Sequence, residues 1–461
     1  MTAAYDREIL LGKLRSGAEM SRPERIALTL RLAIPAILAQ LSMCLMSYID
    51  ASMVGRLGSA QAAAVGLVST TTWIFGSFCH ANSSGYSVQI AHKCGAAEFD
   101  DSRRIYRYGL ICTIVISLVL CLLGSGISGA LPLWLGGEQE VAADASAYFL
   151  IYALFLPALQ LAIYSEAALI ASGNMKVPSM VSLAMCALDV AFNYLFIFVL
   201  GMGVKGAALG TGLAELCAGA FLLWYGSTRS KALSQKGIGQ IHTPKRNKLV
   251  LSQAFRITWP LWLQNLISRG AYIAATVLVA PLGTVAIAAN SFAIIAEGFC
   301  YLPGYGMADA ATTLVGQSLG AGRKDMARSF ARITIFSGAS VMALLAVLMY
   351  AFAAPVMGML STDPQVISLG AQCLRIEAWA ELLYGVSIVA YGCCVGAGDT
   401  LLPSAINLLS MWVIRIGLAL FLIPRYGLVG YWIAMATELS VKGIIFALRV
   451  SGERWMKHKI L

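Results

Sequence analysis

The chain carries the same residue pattern twice at one fixed offset. Pro35 and Pro260 lie 225 residues apart, and four other landmarks recur at that spacing. These are Leu57-Gly58 and Leu282-Gly283, Gly95-Ala96 and Gly320-Ala321, Arg103 and Arg328, and Pro178 and Pro403. An ungapped register over this distance predicts two copies of one folded unit. Because each copy consists almost wholly of apolar runs long enough to cross a bilayer, the duplication is typical of two-lobed membrane transporters.

The composition places the chain in a membrane. Of the 461 residues, 59% are hydrophobic and only 12% are charged, and the mean hydropathy is +0.75. So few polar residues cannot cover a water-soluble globule. The net charge of +10 does not indicate nucleic-acid binding, because the basic residues lie in loops between apolar runs. Residues 1–25 show no removable signal peptide, so the first span is expected to direct insertion.

The sequence offers little for catalysis or for a cofactor. Its eleven cysteines show no CxxC spacing, and its four histidines form no HExxH pattern. The run Gly396-Ala397-Gly398-Asp399 imitates the GxGD of intramembrane aspartyl proteases. However, Asp399 lies in a short loop before Pro403, and its counterpart in the first copy is Asn174, which favours a helix-capping role. We therefore expect neither an enzyme nor a resident cofactor.

Twelve apolar runs are long enough to span a membrane, which takes about 20 residues each. Six runs fall in each copy, and an even number gives both copies the same orientation. The predicted fold is an all-α integral membrane protein whose twelve transmembrane helices form two pseudo-symmetric six-helix lobes, a parallel repeat, around a central cleft. The predicted spans are 29–54, 62–91, 106–128, 147–171, 178–200, 204–226, 254–280, 285–316, 330–356, 369–394, 403–424 and 428–449.

Basic residues concentrate in alternate loops, which predicts the orientation. Short loops rich in Lys and Arg stay in the cytoplasm, so both termini are expected there and the chain is expected in the plasma membrane. A basic stretch with Gly and Pro precedes the second copy and is the expected domain boundary. The predicted domains are a cytoplasmic N-terminal tail (1–28), a first lobe (29–226), a cytoplasmic linker (227–250), a second lobe (251–449) and a cytoplasmic C-terminal tail (450–461).

Ionisable residues inside the spans cost roughly 2.5 to 3.5 kcal/mol each on insertion scales and need an explanation. Asp50 is expected in the outer half of the first span. Asp189 and Asn193 are four residues apart and therefore share one helical face. Two carboxylates and an amide oxygen in one lobe form a site for a hard cation or a shared proton, because close carboxylates resist being ionised together. If the site holds a metal ion instead of a proton, the ion expected at these three residues is Na⁺.

Three further residues are candidates with open alternatives. The hydroxyl of Thr211 either completes the oxygen shell or bonds to a carbonyl of its own helix. Pro35 and Pro260 each remove a hydrogen bond early in the first span of a copy. The resulting kink is either static or converts ion binding into helix bending, which would make both prolines gating residues.

A set of motifs, ordered and repeated along residues 26–449, resembles the multidrug and toxic compound extrusion (MATE) family. The motifs are Ile34-Pro35, Tyr48-Ile49-Asp50, Val54-Gly55-Arg56-Leu57-Gly58, Ala62-Ala63-Ala64-Val65-Gly66, Ser172-Gly173-Asn174-Met175-Lys176-Val177-Pro178, Gly203-Val204-Lys205-Gly206-Ala207-Ala208, Thr313-Leu314-Val315-Gly316-Gln317-Ser318-Leu319-Gly320-Ala321-Gly322 and Gly396-Ala397-Gly398-Asp399-Thr400.

The resemblance implies secondary active efflux of organic cations and amphipathic drugs by antiport with Na⁺ or H⁺. In the bacterial and archaeal type it also implies a first-lobe cation site, matched here by Asp50, Asp189, Asn193 and Thr211. The Asp and Asn of the fifth span occur in the reverse of the family's usual order. The expected partners are small-molecule substrates and membrane lipids, and the protein is expected to function as a monomer.

One branch of the family also uses acids in the second lobe, and the sequence predicts no such cation site here. The resemblance puts Arg269 where the seventh span would carry its acid, and Glu381 lies outside the usual register of the tenth span. We expect Arg269 and Arg415 to pair with Glu297 or Glu381 as a structural charge lock, with contact to an anionic substrate as the alternative.

The alternative function is a lipid or lipid-linked oligosaccharide flippase of the same two-lobe architecture. Such proteins line their cleft with many Arg and Lys residues for pyrophosphate. The spans of this chain carry few, which favours the antiporter.

Overall fold

Glycines at the ends of helices repeat with the sequence. The computed structural model describes residues 6–236, 244–457 and 460, so part of the predicted linker lies outside the described residues. Gly58 and Gly283, which precede equivalent helices, have φ of 130° and 93°. Gly173 and Gly398, which follow equivalent helices, have φ of 89° and 75°. A side chain is disfavoured at such φ values, so the sequence supplies glycine at both members of each pair.

A third repeated turn has glycine in only one of the two copies. Gly322 has a φ of 73°, whereas its counterpart in the first copy, Ala97, adopts a φ of 58° with a side chain present. Among the described residues, Ala97 is the one non-glycine residue with positive φ. A left-handed conformation costs an L-residue roughly 1–2 kcal/mol. The duplicated backbone therefore imposes its turn on Ala97.

Fifteen α-helices make up nearly all of the described chain, and no β-strand occurs within it. Their bounds are α1 Arg7–Ser16, α2 Arg22–Gly55, α3 Ser59–Gly95, α4 Phe99–Ile127, α5 Leu131–Trp134, α6 Gln139–Ala171, α7 Lys176–Tyr194, α8 Gly203–Thr228, α9 Pro244–Val279, α10 Thr284–Gly320, α11 Lys324–Leu360, α12 Pro364–Ala378, α13 Glu381–Gly396, α14 Leu401–Leu409 and α15 Gly417–Ser451. Two π-helical segments, Leu195–Val199 and Ser410–Ile416, follow α7 and α14.

Ten helical stretches of the described chain are long and apolar enough to cross a membrane. The pair α12 and α13 adds an eleventh span that is bent by 57°. The last stretch, Leu401–Ser451, has 51 residues and is interrupted at Gly427, where φ is 59° and ψ is −137°. At about 1.5 Å per residue its length is more than twice the roughly 30 Å of a hydrocarbon core. Counting it twice gives the twelve predicted spans, and the predicted all-α, two-lobe fold class is confirmed.

The described chain divides into two compact units. One, the amino-side unit, comprises Leu38–Trp262; the other, the carboxyl-side unit, comprises the chain up to Ile37 together with Leu263–Ile460. Both boundaries fall two residues beyond a repeated proline, Pro35 or Pro260. Each copy's first span is thus shared between the units at the same point of the repeat. This division differs from the sequence-defined lobes, whose boundaries stay a prediction.

The early part of α9 is held within the amino-side unit by specific contacts. The Thr258 hydroxyl donates a hydrogen bond to the Ala81 carbonyl, and the Trp262 indole donates one to the Phe78 carbonyl, both at 3.2 Å. A Cβ at Gly85 would lie 2.4 Å from the Thr258 hydroxyl oxygen. Glycine there lets the two helices approach closely.

The early part of α2 is held in the same way within the carboxyl-side unit. A Cβ at Gly306 would lie 2.5 Å from the backbone nitrogen of Ile37. The Arg25 guanidinium donates to the Ser329 hydroxyl at 2.8 Å. The segments that carry Pro35 and Pro260 therefore pack tightly within their units, and both prolines lie inside continuous helices.

Candidate functional site

Three of the four predicted ligands meet in the amino-side unit around one amide. Asn193 Nδ2 donates a hydrogen bond to Asp50 Oδ1 at 2.9 Å and a second to Asp189 Oδ2 at 3.1 Å. Asp189 is fully buried, Asn193 is 1% exposed and Asp50 is partly exposed. Because one amide holds both carboxylates, the structure places them in a single shared site.

Local helix geometry explains how α7 presents two of these groups. Asp189 and Asn193 lie one turn apart on α7, as their spacing predicts. The π-helical segment Leu195–Val199 begins two residues after Asn193. Such π segments are rare and occur frequently at functional sites, because the wider turn re-aims the adjacent side chains.

Close packing of α8 brings the fourth residue to the site. A Cβ at Gly210 would lie 2.1 Å from Asn193 Oδ1 and 3.0 Å from the Asn193 backbone nitrogen. Any side chain at this position would push α8 and α7 apart. The glycine lets the neighbouring Thr211 approach, and the Thr211 side chain interacts with the Asp189 carboxylate. The structure therefore brings together all four predicted residues.

A fifth residue, Glu215, belongs to the electrostatic environment of the site. It lies one turn beyond Thr211 on α8 and interacts electrostatically with Asp189 and Asp50. Glu215 is not among the ligands predicted from the sequence. The signal that identifies it is its spacing of four residues from Thr211, which puts both side chains on one helical face.

The donor set fits a small hard cation. Asp189 Oδ1 and Asn193 Oδ1 are buried and accept no hydrogen bond from any residue in the described ranges. Together with Asp50 and Thr211 they supply the carboxylate, amide and hydroxyl oxygens that hard cations prefer. The Asn193 amide turns its two hydrogens toward the carboxylates. A half-turn of the amide would turn its oxygen toward a bound cation instead.

The repeat does not reproduce this chemistry in the second copy. The residues 225 positions beyond Asp50, Asp189, Asn193 and Thr211 are all apolar, namely Ala275, Ile414, Leu418 and Ala436. The same helices thus exist in both copies, whereas the polar site exists in one.

In the predicted charge lock, Arg415 is hydrogen-bonded to Glu438 and interacts electrostatically with the expected Glu297, whereas the pairing of Arg269 with an acid stays a prediction. Arg415 donates to Glu438 Oε2 at 2.7 Å, and Lys442 Nζ lies 3.1 Å from Glu438 Oε1. All three side chains are buried or nearly so. The Glu381 carboxylate accepts no hydrogen bond from the described residues. Arg269 lies over the ring of Tyr272, 5.9 Å from its centroid.

Comparison with known proteins identifies both copies as one type of unit. The MatE family profile matches residues 35–195 and again residues 260–421, so the two matches begin at the repeated prolines and cover most of the chain. The chain belongs to the MatE family. The resemblance recognised in the sequence motifs is thereby confirmed, and so is the assignment of the chain to a multi-pass membrane transporter family.

Relatives of the MatE type match along almost the whole chain. A probable multidrug resistance protein NorM from Thermotoga maritima is 23% identical and is covered over 93% of its length by 94% of this chain. One from Chromobacterium violaceum is 26% identical, with 91% of it and 90% of this chain covered.

Two solved structures share the fold. The Vibrio cholerae MATE transporter VcmN in its bent form superposes with a TM-score of 0.84 at 19% identity, covering 97% of that chain and 96% of this one. A MOP superfamily transporter from Pyrococcus furiosus, described as having a binding pocket of reverse polarity, superposes with a TM-score of 0.86 at 19% identity. The match covers 98% of that chain and 96% of this one.

Proposed function

We propose that this MatE protein exports small organic cations and amphipathic drugs across the plasma membrane by antiport with Na⁺ or H⁺. The family membership and relatives named as multidrug resistance proteins support drug efflux. The ion coupling rests on one observation, the bridging of Asp50 and Asp189 by the Asn193 amide. Both termini lie in the cytoplasm in this proposal, following the distribution of basic loops.

The bridged carboxylates have the properties that an ion-coupling site requires. Two unit charges about 4 Å apart repel by roughly 4 kcal/mol at an effective dielectric constant of 20. A proton or Na⁺ relieves this repulsion, and its departure restores it. Since Asp50 lies on α2 and Asp189 on α7, the occupancy of the site alters the force between these two helices. Substrate export would be driven by that change.

The test measures efflux against each ion gradient separately. Everted vesicles, whose cytoplasmic face is outward, would receive a fluorescent organic cation in the medium and an imposed Na⁺ or H⁺ gradient, and uptake of the cation into the lumen would be compared for the wild type and Asp50→Asn. We expect Asp50→Asn to abolish coupled efflux while the protein still inserts, because the amide keeps the shape but not the titratable charge. Asp100→Asn, which neutralises an exposed carboxylate in the first turn of α4, is the matched control. Unchanged transport by Asp50→Asn would refute the assignment, and efflux that follows neither gradient would favour a flippase.

A further inference from the structure

An open groove lies in the amino-side unit between the end of α2 and the π-helical segment that follows α7. Its volume is about 510 Å³, within the range of about 300–1,000 Å³ that is usual for ligand pockets. Along α2 it is lined by Tyr48, Ser52 and Arg56, which are four residues apart and therefore share one helical face. These three residues extend over about 12 Å of the helix. We refer to this feature as the α2–α7 groove.

The walls of the groove are mainly apolar and aromatic. On the α7 side, the rings of Tyr194 and Phe198 lie with their centroids 5.8 Å apart, and Phe198 belongs to the π-helical segment. Tyr194 is 58% exposed and Phe198 is 38% exposed. Ile49 and Met53 of α2 complete the lining. Exposed rings near the end of a span are typical of the membrane interface, where they contact acyl chains. The groove therefore offers a surface that suits an acyl chain.

A single positive charge lies at one end of the groove. Arg56 directly follows Gly55, the last residue of α2, and so lies at the end of a span, where lipid headgroups are found. Arg56 is exposed and forms no ion pair with a residue of the described ranges. Of the described residues that line the groove, no other is charged. Arginine is well suited to phosphate, which it binds through charge-assisted hydrogen bonds. The groove thus combines a phosphate-binding cation with an apolar surface that leads toward the membrane core.

The second copy shows that the fold does not require these residues. The residues 225 positions beyond Tyr48, Ser52, Arg56, Tyr194 and Phe198 are neither charged nor aromatic, namely Ile273, Val277, Pro281, Ala419 and Ile423. Ile273 is 55% exposed and Val277 is 64% exposed, so the same helix face presents a plain aliphatic surface in the second copy. The arginine and the aromatic rings of the first copy therefore serve a purpose other than holding the helices together.

We infer that the α2–α7 groove binds an anionic phospholipid, with the headgroup phosphate on Arg56 and one acyl chain between α2 and the π-helical segment. Ser52, which lies one turn from Arg56 and about 6 Å deeper along the helix, offers a hydroxyl to the glycerol ester oxygens. A phospholipid matches the groove because it holds a phosphate at the end of a span and its chains in the hydrocarbon core.

A lipid bound there contacts the two elements that carry the Asp50 site. Asp50 lies on α2 between Tyr48 and Ser52, and Asn193 immediately precedes Tyr194. The lipid therefore stabilises the position of α2 relative to the π-helical segment. The inference concerns lipid binding alone, so it does not rest on the proposed antiport.

Native mass spectrometry of the full chain, released from detergent micelles, measures the binding directly. Dioleoyl phosphatidylglycerol and dioleoyl phosphatidylcholine, which have the same chains and differ in headgroup charge, are titrated separately. We expect the first phosphatidylglycerol to bind at least about fivefold more tightly than the first phosphatidylcholine, the ratio that one cation near an anionic lipid provides. Excess inorganic phosphate should not displace it, because free phosphate lacks the acyl chain that the groove holds.

Three variants assign the binding to the groove. Arg56→Gln removes the headgroup contact, and Ser52→Trp fills the groove while Arg56 is kept. Each is expected to abolish the preference for phosphatidylglycerol. Arg425→Gln is the matched control, because it makes the same change in net charge at an exposed arginine of the carboxyl-side unit, beside the interruption at Gly427. It should leave the preference unchanged.

Several results would overturn the inference. These are a wild type without preference for phosphatidylglycerol, an Arg56→Gln variant that keeps the preference, and an Arg425→Gln variant that loses it to the same extent. Loss in Arg56→Gln but not in Ser52→Trp would place a headgroup on the arginine without a chain in the groove, and displacement by inorganic phosphate would indicate a simple anion site. A dimer that dissociates in Arg56→Gln would assign the groove to a second copy of the chain. The wild type alone decides the first result, so a variant that fails to fold does not protect the inference.

Discussion

Replacing Gly210 with alanine should disable the Asp50 site without removing any of its polar groups. The added Cβ would lie 2.1 Å from Asn193 Oδ1, although real Cβ contacts essentially never fall below 3.0 Å. The Asn193 side chain must therefore move by roughly 0.9 Å. The added Cβ would also lie 3.0 Å from the Asn193 backbone nitrogen, so the backbone there has little room to shift. A shift of that size takes the hydrogen bonds to Asp50 and Asp189, now 2.9 and 3.1 Å, beyond the usual limit of about 3.2 Å.

The size of the effect follows from those two bonds. Hydrogen bonds to charged groups are worth about 1.5–3 kcal/mol each. Losing both therefore changes the free energy of ion binding at the site by about 3–6 kcal/mol. Because both bonds stabilise the ionised carboxylates of the empty site, their loss should raise the apparent affinity for the coupling ion by about 100-fold or more, at 1.4 kcal/mol per factor of ten. The assay is ion-dependent uptake of a fluorescent organic cation into everted vesicles across a range of Na⁺ and H⁺ concentrations.

A second glycine substitution provides the control. A Cβ at Gly66 on α3 would meet no described atom within 4 Å apart from its own helix backbone, so Gly66→Ala should leave ion dependence unchanged. It should also favour the helix slightly, by up to about 1 kcal/mol. If Gly210→Ala inserts, folds and transports with the ion dependence of the wild type, the bridging amide does not set the coupling and the reasoning fails.

Three further predictions concern stability. Ala97→Gly should raise the free energy of unfolding by about 1 kcal/mol and Gly322→Ala should lower it by a similar amount, because both residues have positive φ. Equal and opposite shifts in unfolding temperature would support this prediction, and no shift in either variant would contradict it. Arg415→Ala should lower the free energy of unfolding by about 3–5 kcal/mol, because it removes a buried partner of the Glu438 carboxylate. A decrease of less than about 1 kcal/mol, measured by thermal unfolding, would argue against the pair as a structural element. Arg269→Ala should lower thermal stability more than it alters substrate range; normal stability in detergent with a changed substrate preference would instead indicate a substrate contact.

Several features follow from the sequence because they depend on local chemistry. Twelve spans follow from run length and hydropathy, since a helix must be apolar over about 20 residues to cross the membrane. Two copies follow from the 225-residue register. The pairing of Asp189 with Asn193 on one face follows from helical periodicity, which fixes the relation of residues four apart whatever the rest of the fold does.

The tertiary structure alone decided which faces of different helices meet. Asp50 on α2 reaches Asn193 on α7 across 143 residues, and Gly210 lets α8 pack closely against the same asparagine. Arg415 has Glu438 as its partner, although the sequence suggested Glu297 or Glu381. The proximity of Glu297, Glu377 and Glu381 was hidden for the same reason, because the bend between α12 and α13 sets the orientation of Glu381 relative to Glu377. Periodicity sets the direction of a side chain within one helix, but the rotation and bending of helices against each other are set by packing, which no local pattern encodes.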